Sequence, residues 1–276
     1  MVGRLRRSGG EKRVGHGGTL DPSATGVLPI FFGRATVLAE HLSVQGKAYR
    51  GEVVLGWSST TDDAEGELTL APLAREADAE AIAAVLTTFV GEHPQAPPAY
   101  SAVKIDGRRS YSRARAGESP QPKPRSVVLS AAHLVGVARD GGFLTATLDI
   151  ECGPGYYVRA LARELGRALG GGGYLRDLRR TRVGGLRVED AISLVDAEAL
   201  GPGLASRLLS PLAAVGAMLE VRVRPADEGR LAHGMEVEAP GVGTGLAYAR
   251  GDGDRVLALG EVAEGRFRPH RLVDVG

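Results

Sequence analysis

Val14-Gly15-His16-Gly17-Gly18-Thr19-Leu20-Asp21-Pro22-Ser23-Ala24-Thr25-Gly26-Val27-Leu28-Pro29 is the stretch on which the reading of this chain turns. Its glycines, at 15, 17, 18 and 26, supply backbone shapes that other residues avoid and let a ligand approach closely. Pro22 pushes Asp21 toward an extended conformation, so the segment predicts a tight loop that presents one carboxylate from a fixed backbone. No Lys-Ser or Lys-Thr pair follows the glycines, which excludes a phosphate loop. Asp-Pro also suits a helix start, with aspartate as cap and proline in the first turn, and loop chemistry alone favours that reading.

Outward from the loop, a net charge of only +1 conceals strong clustering. Residues 1–16 carry Arg4, Arg6, Arg7, Lys12 and Arg13 against Glu11. Residues 101–125 carry Lys104, Arg108, Arg109, Arg113, Arg115, Lys123 and Arg125 against Asp106 and Glu118, and residues 155–187 set eight arginines against Glu164 and Asp177. Residues 61–80 are acidic, with only Arg75 as a base. Three basic segments suggest a phosphate-binding face, although three unrelated solvated surfaces would look the same from charge alone. At 276 residues and 43% hydrophobic the chain can bury a sizeable core, so its many glycines do not signal disorder, and two domains are expected. The lone Cys152 forms no internal disulfide, and neither a long apolar run nor a basic-then-apolar leader is present; a cytoplasmic location away from membranes is expected. The six histidines lack metal-ligand spacing, so no metal is expected.

Periodicity predicts an amphipathic helix over 78–90, capped by Asp78, and another over 156–169 that buries Val158, Leu161, Ala162, Leu165 and Leu169. Strands are predicted at 48–55, 127–137 and 143–151, the last two joined as a hairpin through Arg139-Asp140-Gly141-Gly142. Residues 94–125, rich in Pro, Ser, Gly and Arg, read as a mostly irregular basic insertion with a short helical piece at Ser110–Ala116. Gly201-Pro202-Gly203 and Ser210-Pro211 suggest a boundary, followed by short strands near 219–224, 235–239, 245–249 and 255–262 and a helix near 225–232.

The string G-H-G-G-T-L-D-P-x-A-T-G-V-L-P at 15–29 closely resembles the signature of the TruB family of tRNA pseudouridine synthases. Further blocks agree in order and spacing over residues 12–195: Lys47-Ala48-Tyr49-Arg50, Asp63-Ala64-Glu65-Gly66, Ser101-Ala102-Val103-Lys104, Gly155-Tyr156-Tyr157-Val158-Arg159 and Leu178-Arg179-Arg180-Thr181. The resemblance implies an α+β fold: a catalytic domain over 1–212 built on a mixed, mainly antiparallel sheet flanked by helices and loops. It also implies a thumb-like RNA-binding insertion at 97–125 and a small β-barrel-like, PUA-like domain at 216–276.

By the same resemblance Asp21 is the catalytic aspartate, and Arg159 pairs with it. Tyr157 handles the proton at carbon 5 of the uracil, and Tyr49 packs on the target base. Leu178 lines the base pocket, Asp63 is the acidic partner of Arg159, and His16 and Lys104 contact RNA. The implied reaction isomerises the T-loop uridine at tRNA position 55, needs no cofactor or metal, and is carried out by a monomer without an obligate protein partner. A carboxylate can act at the sugar as nucleophile or base, an aromatic face can hold a detached base, and the target must first leave its stack. The rival readings are a non-catalytic tRNA-binding or folding protein, which the intact Asp21, Tyr49, Tyr157 and Arg159 disfavour, and a guide-dependent rRNA pseudouridine synthase, which the 97–125 insertion disfavours.

Two departures stand out. The strand and Lys-Pro loop that the family carries ahead of the histidine are expected to be missing, and Thr60 stands where the family usually has a second aspartate.

Overall fold

The structure is a computed structural model that describes residues 1–276 apart from Ala102, Asp106 and Ser119; of Leu73, Arg75, Lys104, Arg109 and Arg115 only the backbone is described. The chain forms two compact units, one of residues 21–26 and 46–181, the other of residues 1–20, 27–45 and 182–276.

The first unit is built on a sheet whose principal strands are β1 (Lys47–Leu55), β2 (Gly91–Gln95), β3 (Arg125–Asp140), β4 (Phe143–Cys152) and β5 (Gly173–Val183), in the order β5-β1-β4-β3-β2. The β1-β4, β4-β3 and β3-β2 pairs are antiparallel, and Thr25–Gly26 adds a parallel pairing to β5, giving the mixed, mainly antiparallel sheet expected. Gly141 and Gly142 close the β3-β4 hairpin with φ of 54° and 81°, the left-handed pair that a two-residue turn requires. Helix α1 (Ala79–Thr87) starts where Asp78 accepts the Ala81 N–H at 2.8 Å, and it buries Ile82 and Leu86. Helix α2 (Val158–Ala168) buries Val158, Leu161, Ala162 and Leu165 in a core shared with Val53, Leu55, Leu129, Leu148 and Ile150. A Cβ on Gly173 would stand 2.2 Å from the Ala162 carbonyl oxygen, so the missing side chain is what lets α2 lie against the start of β5.

Strands β2 and β5 are absent from the sequence reading. Pro94 disguises β2, which tolerates it because the sheet order ends there and an edge strand can forgo one ladder bond. In β5 the inward positions include Arg180, fully buried, where a hydrophobic side chain would have marked the strand.

The second unit carries a five-stranded sheet of β6 (Leu219–Arg222), β7 (Val237–Glu238), β8 (Gly245–Arg250), β9 (Val256–Ala263) and β10 (Arg266–Val275), ordered β6-β8-β9-β10-β7, with helix α3 (Pro225–Ala232). Strand β10 escaped the sequence reading because it contains Pro269, which pairs with Gly260 at a register shift. The expected boundary near 201–216 is not where the contacts divide. Ala214 and Val215 are buried with Phe31, Leu38, Leu42 and Val183 in the same core as Tyr248, Val256, Leu259 and Val273, so segments on both sides of that boundary pack as one body.

Candidate active site

The Asp21 loop is positioned by local chain chemistry within the first unit. The Asp21 carbonyl accepts the Ala24 N–H at 3.0 Å, closing a β-turn with Pro22 at its second position, where a fixed φ near −65° suits the geometry. The helix-cap reading of Asp-Pro is thereby replaced by a turn. Thr25 and Gly26 then pair with Arg179 and Arg180 of β5. Gly26 has φ of 101°, and a Cβ there would stand 2.1 Å from the Arg180 carbonyl oxygen, so the loop reaches β5 only as glycine. Strand β5 also holds a second loop: Leu175 donates its N–H to the Asp62 carbonyl at 3.0 Å, and Asp63 forms a β-bridge to Leu175.

Between these two loops, the first turn of α2 delivers Arg159. Its Nε donates to Asp21 Oδ2 at 2.8 Å and its Nη2 to Asp21 Oδ1 at 3.0 Å, a bidentate fork. Nη1 lies 3.2 Å from Asp63 Oδ2 and also donates to the Thr61 carbonyl, and Nη2 donates to the Tyr100 carbonyl, each at 3.2 Å. Four hydrogen bonds and the ion pair to Asp63 surround the guanidinium. That set of partners is what lets Arg159 be only 6% exposed. Asp63 is fixed in turn by the Thr61 hydroxyl and by the Glu65 N–H. Thr60, at the family's usual aspartate position, accepts the Glu67 N–H through its hydroxyl at 3.0 Å and so closes the acidic loop without a carboxylate.

One turn further along α2, Arg163 pairs with Asp62 and donates to the Ala96 carbonyl at 2.7 Å. Burial raises the Asp62 carboxyl above the ordinary aspartate range, and Arg163 offsets only part of that rise. Asp21, Asp63, Arg159, Leu175 and Leu178 line a recess of about 220 Å³, with Arg176 and Asp177 also contributing. The Asp21 side chain keeps 34% of its surface exposed, which leaves its carboxylate reachable while its partner is sealed.

A model of the TruB family pseudouridylate synthases, N-terminal domain, matches residues 6–158. The chain belongs to the TruB family. It is 42% identical to a tRNA pseudouridine synthase B of Thermobifida fusca (strain YX), an alignment covering 98% of this chain and 92% of that one. It is 34% identical to the tRNA pseudouridine synthase B of Streptococcus pneumoniae serotype 2 (strain D39 / NCTC 7466), over 98% and 93%. Its fold is similar to the crystal structure of a Cbf5-Nop10-Gar1 complex, with a TM-score of 0.73 and 23% identity over 100% of this chain and 79% of that one. It is also similar to an H/ACA RNP bound to a substrate RNA containing 2'-deoxyuridine, with a TM-score of 0.69 and 21% identity over 100% and 78%.

Of the residues singled out in this TruB-family sequence, the first unit brings Asp21, Asp63, Arg159 and Leu178 to one recess. Tyr49 lies on β1 beside them, mostly buried, with its hydroxyl hydrogen-bonded to Arg180 and pushed up to about 12 by burial. Tyr157 stands at the N-cap of α2, outside the recess lining, with the Arg125 guanidinium 5.2 Å from its ring centroid. His16 belongs to the second unit, exposed at the end of the short strand Val14–His16. The backbone of Lys104 pairs with Arg109 in a small ribbon ahead of helix Ser110–Arg115, and the Lys104 side chain lies outside the described residues. The insertion is less free than its composition implies: Arg108 and Arg113 both pair with Glu118. Sequence reasoning passed over Asp62, Gln95, Arg163 and Arg180. Only Arg163, four residues after Arg159 and so on the same helix face, carried a signal. Among the described residues no helix is long and apolar enough to cross a membrane.

Proposed function

We propose that this chain isomerises the T-loop uridine at position 55 of tRNA to pseudouridine, with Asp21 as the catalytic carboxylate. The observation that carries the reading is the bidentate Asp21–Arg159 pair at the edge of a recess walled by Leu178. The guanidinium aims and stabilises the charged carboxylate, which acts at the sugar while the glycosidic carbon–nitrogen bond breaks. The freed uracil turns and bonds through carbon 5, the carbon 5 proton leaves and nitrogen 1 gains one. Every atom is retained, so no co-reactant is needed.

In this reading Tyr49 offers its ring to the base, Tyr157 handles the carbon 5 proton and Asp63 steadies Arg159. A folded RNA hides its bases, so the nucleotide is extruded before reaction. His16, Lys104 and the 97–125 insertion contact the surrounding backbone, and the C-terminal sheet serves as a PUA-like RNA-binding module.

The test is incubation of the purified chain with an unmodified tRNA transcript, followed by mapping of pseudouridine. One modified T-loop position is expected. Tight tRNA binding and refolding without pseudouridine would favour the non-catalytic reading instead.

A further inference from the structure

Tyr157 is gripped by a residue that the reaction itself does not use. Gln95, the last residue of β2 and 1% exposed, binds both polar groups of the Tyr157 main chain. The Tyr157 N–H donates to Gln95 Oε1 at 2.9 Å, and Gln95 Nε2 donates to the Tyr157 carbonyl at 3.2 Å. Directly across the β2-β3 ladder from Gln95 stands Arg125. Its Nη2 donates to the Gly155 carbonyl at 2.7 Å, and its guanidinium carbon lies 5.2 Å from the Tyr157 ring centroid, within cation–π range. Gly155 has φ of 76°, so this bend is one that glycine adopts without strain. A single cross-strand pair therefore holds Tyr157 by its main chain and by its ring.

A buried amide is costly unless both its poles are paired, and an apolar side chain of similar size would fill the same space without that requirement. Here donor and acceptor are both directed at one residue, which caps α2 with a non-helical backbone (φ −112°, ψ 111°) and has no side-chain cap of its own. The neighbouring Ala96 carbonyl accepts from Arg163, so the end of β2 ties Tyr157 and the α2 arginines to one rigid edge. We infer that Gln95, assisted by Arg125, is a positioning residue that sets where the Tyr157 ring and hydroxyl stand relative to the base. The inference rests on the role given to Tyr157 above.

The experiment uses the full chain with unmodified tRNA transcript: single-turnover rate at saturating enzyme, RNA affinity by filter binding, and thermal stability. Misplacing a catalytic group by about an ångström can cost on the order of a hundredfold in rate, and Gln95→Leu is expected to fall by that order with RNA affinity unchanged within about twofold. Gln95→Glu keeps the acceptor for the Tyr157 N–H and loses the donor, so its rate should lie between the two. Because both changes act through one hydroxyl, Gln95→Leu with Tyr157→Phe should be no slower than the slower single variant. A wild-type rate in Gln95→Leu, multiplying losses in the double variant, or a loss confined to affinity overturns the inference. Should Gln95→Leu fail to fold, Gln95→Glu and Arg125→Lys decide by the same criteria. A wild-type chain that makes no pseudouridine overturns the functional reading as well, which separates the two failures.

Discussion

Acidic side chains meet arginines in both units, with opposite electrostatic results. Around α2, Asp62 and Glu164 are pushed up from their ordinary values, burial outweighing Arg163 in each case. In the C-terminal sheet, Glu220 is pulled down first by its hydrogen bond from the Tyr248 hydroxyl, and Glu236 by hydrogen bonds from Arg268 and Arg266. The same ion pair is thus a cost-laden device in the first region and an ordinary solvated contact in the second. Desolvation decides the sign. The first unit accepts that cost around a recess that presents a carboxylate, and the second gathers its pairs at a more exposed surface.

The sharpest way to break the contrast is at Asp21. Asp21→Asn keeps the shape and leaves the Thr61, Tyr100 and Asp63 contacts of Arg159 in place, yet it removes the carboxylate that acts at the sugar, so turnover should fall on the order of a thousandfold or more while tRNA affinity stays. Pseudouridine mapping with a parallel binding assay checks it, and near-wild-type turnover would remove Asp21 from its role. Glu236→Gln, the matching change in the other region, should leave turnover untouched.

Next in size is the stability cost of stranding a buried charge. Arg163→Met leaves Asp62 without its partner at 12% side-chain exposure. Breaking a buried pair in this way costs about 3 kcal/mol, which denaturant titration would read as a lower midpoint at unchanged slope. Arg268→Ala, whose side chain is 63% exposed beside Glu236, should not move the midpoint measurably. Equal losses would erase the distinction between the two regions.

Tyr49→Phe belongs between these. On sequence alone the change looks harmless, since the ring face survives and stacking is retained. The structure adds that the Tyr49 hydroxyl is a hydrogen-bond partner of the fully buried Arg180, so Phe removes an acceptor from that guanidinium and should cost about 1–3 kcal/mol of stability. The chemical step should stay near wild type, in contrast to Tyr157→Phe, for which a loss on the order of a hundredfold is expected. Thermal melts and single-turnover rates of the two variants check the division.

That correction shows where the sequence stops being legible. Asp21, Tyr49, Tyr157, Arg159 and Leu178 are singled out by the family resemblance of the blocks they stand in, not by residue type or spacing alone. The residues that hold them are not. Gln95 sits beside a proline in a segment that reads as loop, Asp62 is one of seven acids in a surface-like run, and Arg180 looks like one more RNA-facing arginine although it points into the core. Their roles arise from pairings across the sheet, such as Gln95 with Arg125 and Gly26 with Arg180, which have no local periodicity to betray them. The hairpin at Gly141-Gly142 and the Asp78 cap were legible because their causes are local; β2, β5 and β10 were not, because proline or arginine occupies positions that a strand usually fills with apolar side chains.

The smallest expected effect is a slope. The folded pKa of Asp62 lies above its ordinary value of 3.8, so between that value and the raised one the folded chain binds more protons than the unfolded chain. The Asp62 contribution is therefore fully present below 3.8 and fades as pH rises through the raised value. Glu236 has the reverse sign. Its folded value is below its ordinary 4.5, so its contribution is present above 4.5 and is lost as pH falls through the lowered value. Asp62→Asn should thus flatten a decline in stability on the alkaline side of 3.8, whatever it does to the absolute level. Glu236→Gln should flatten a much shallower decline on the acid side of 4.5, shallower because solvent and salt screen an exposed pair. Midpoints measured across that range at two salt concentrations separate the cases: the Glu236 effect should shrink with salt and the Asp62 effect should persist. A salt-sensitive Asp62 slope, or one of the same sign as that of Glu236, would mean that water reaches the α2 carboxylates and that burial is not what distinguishes the two regions.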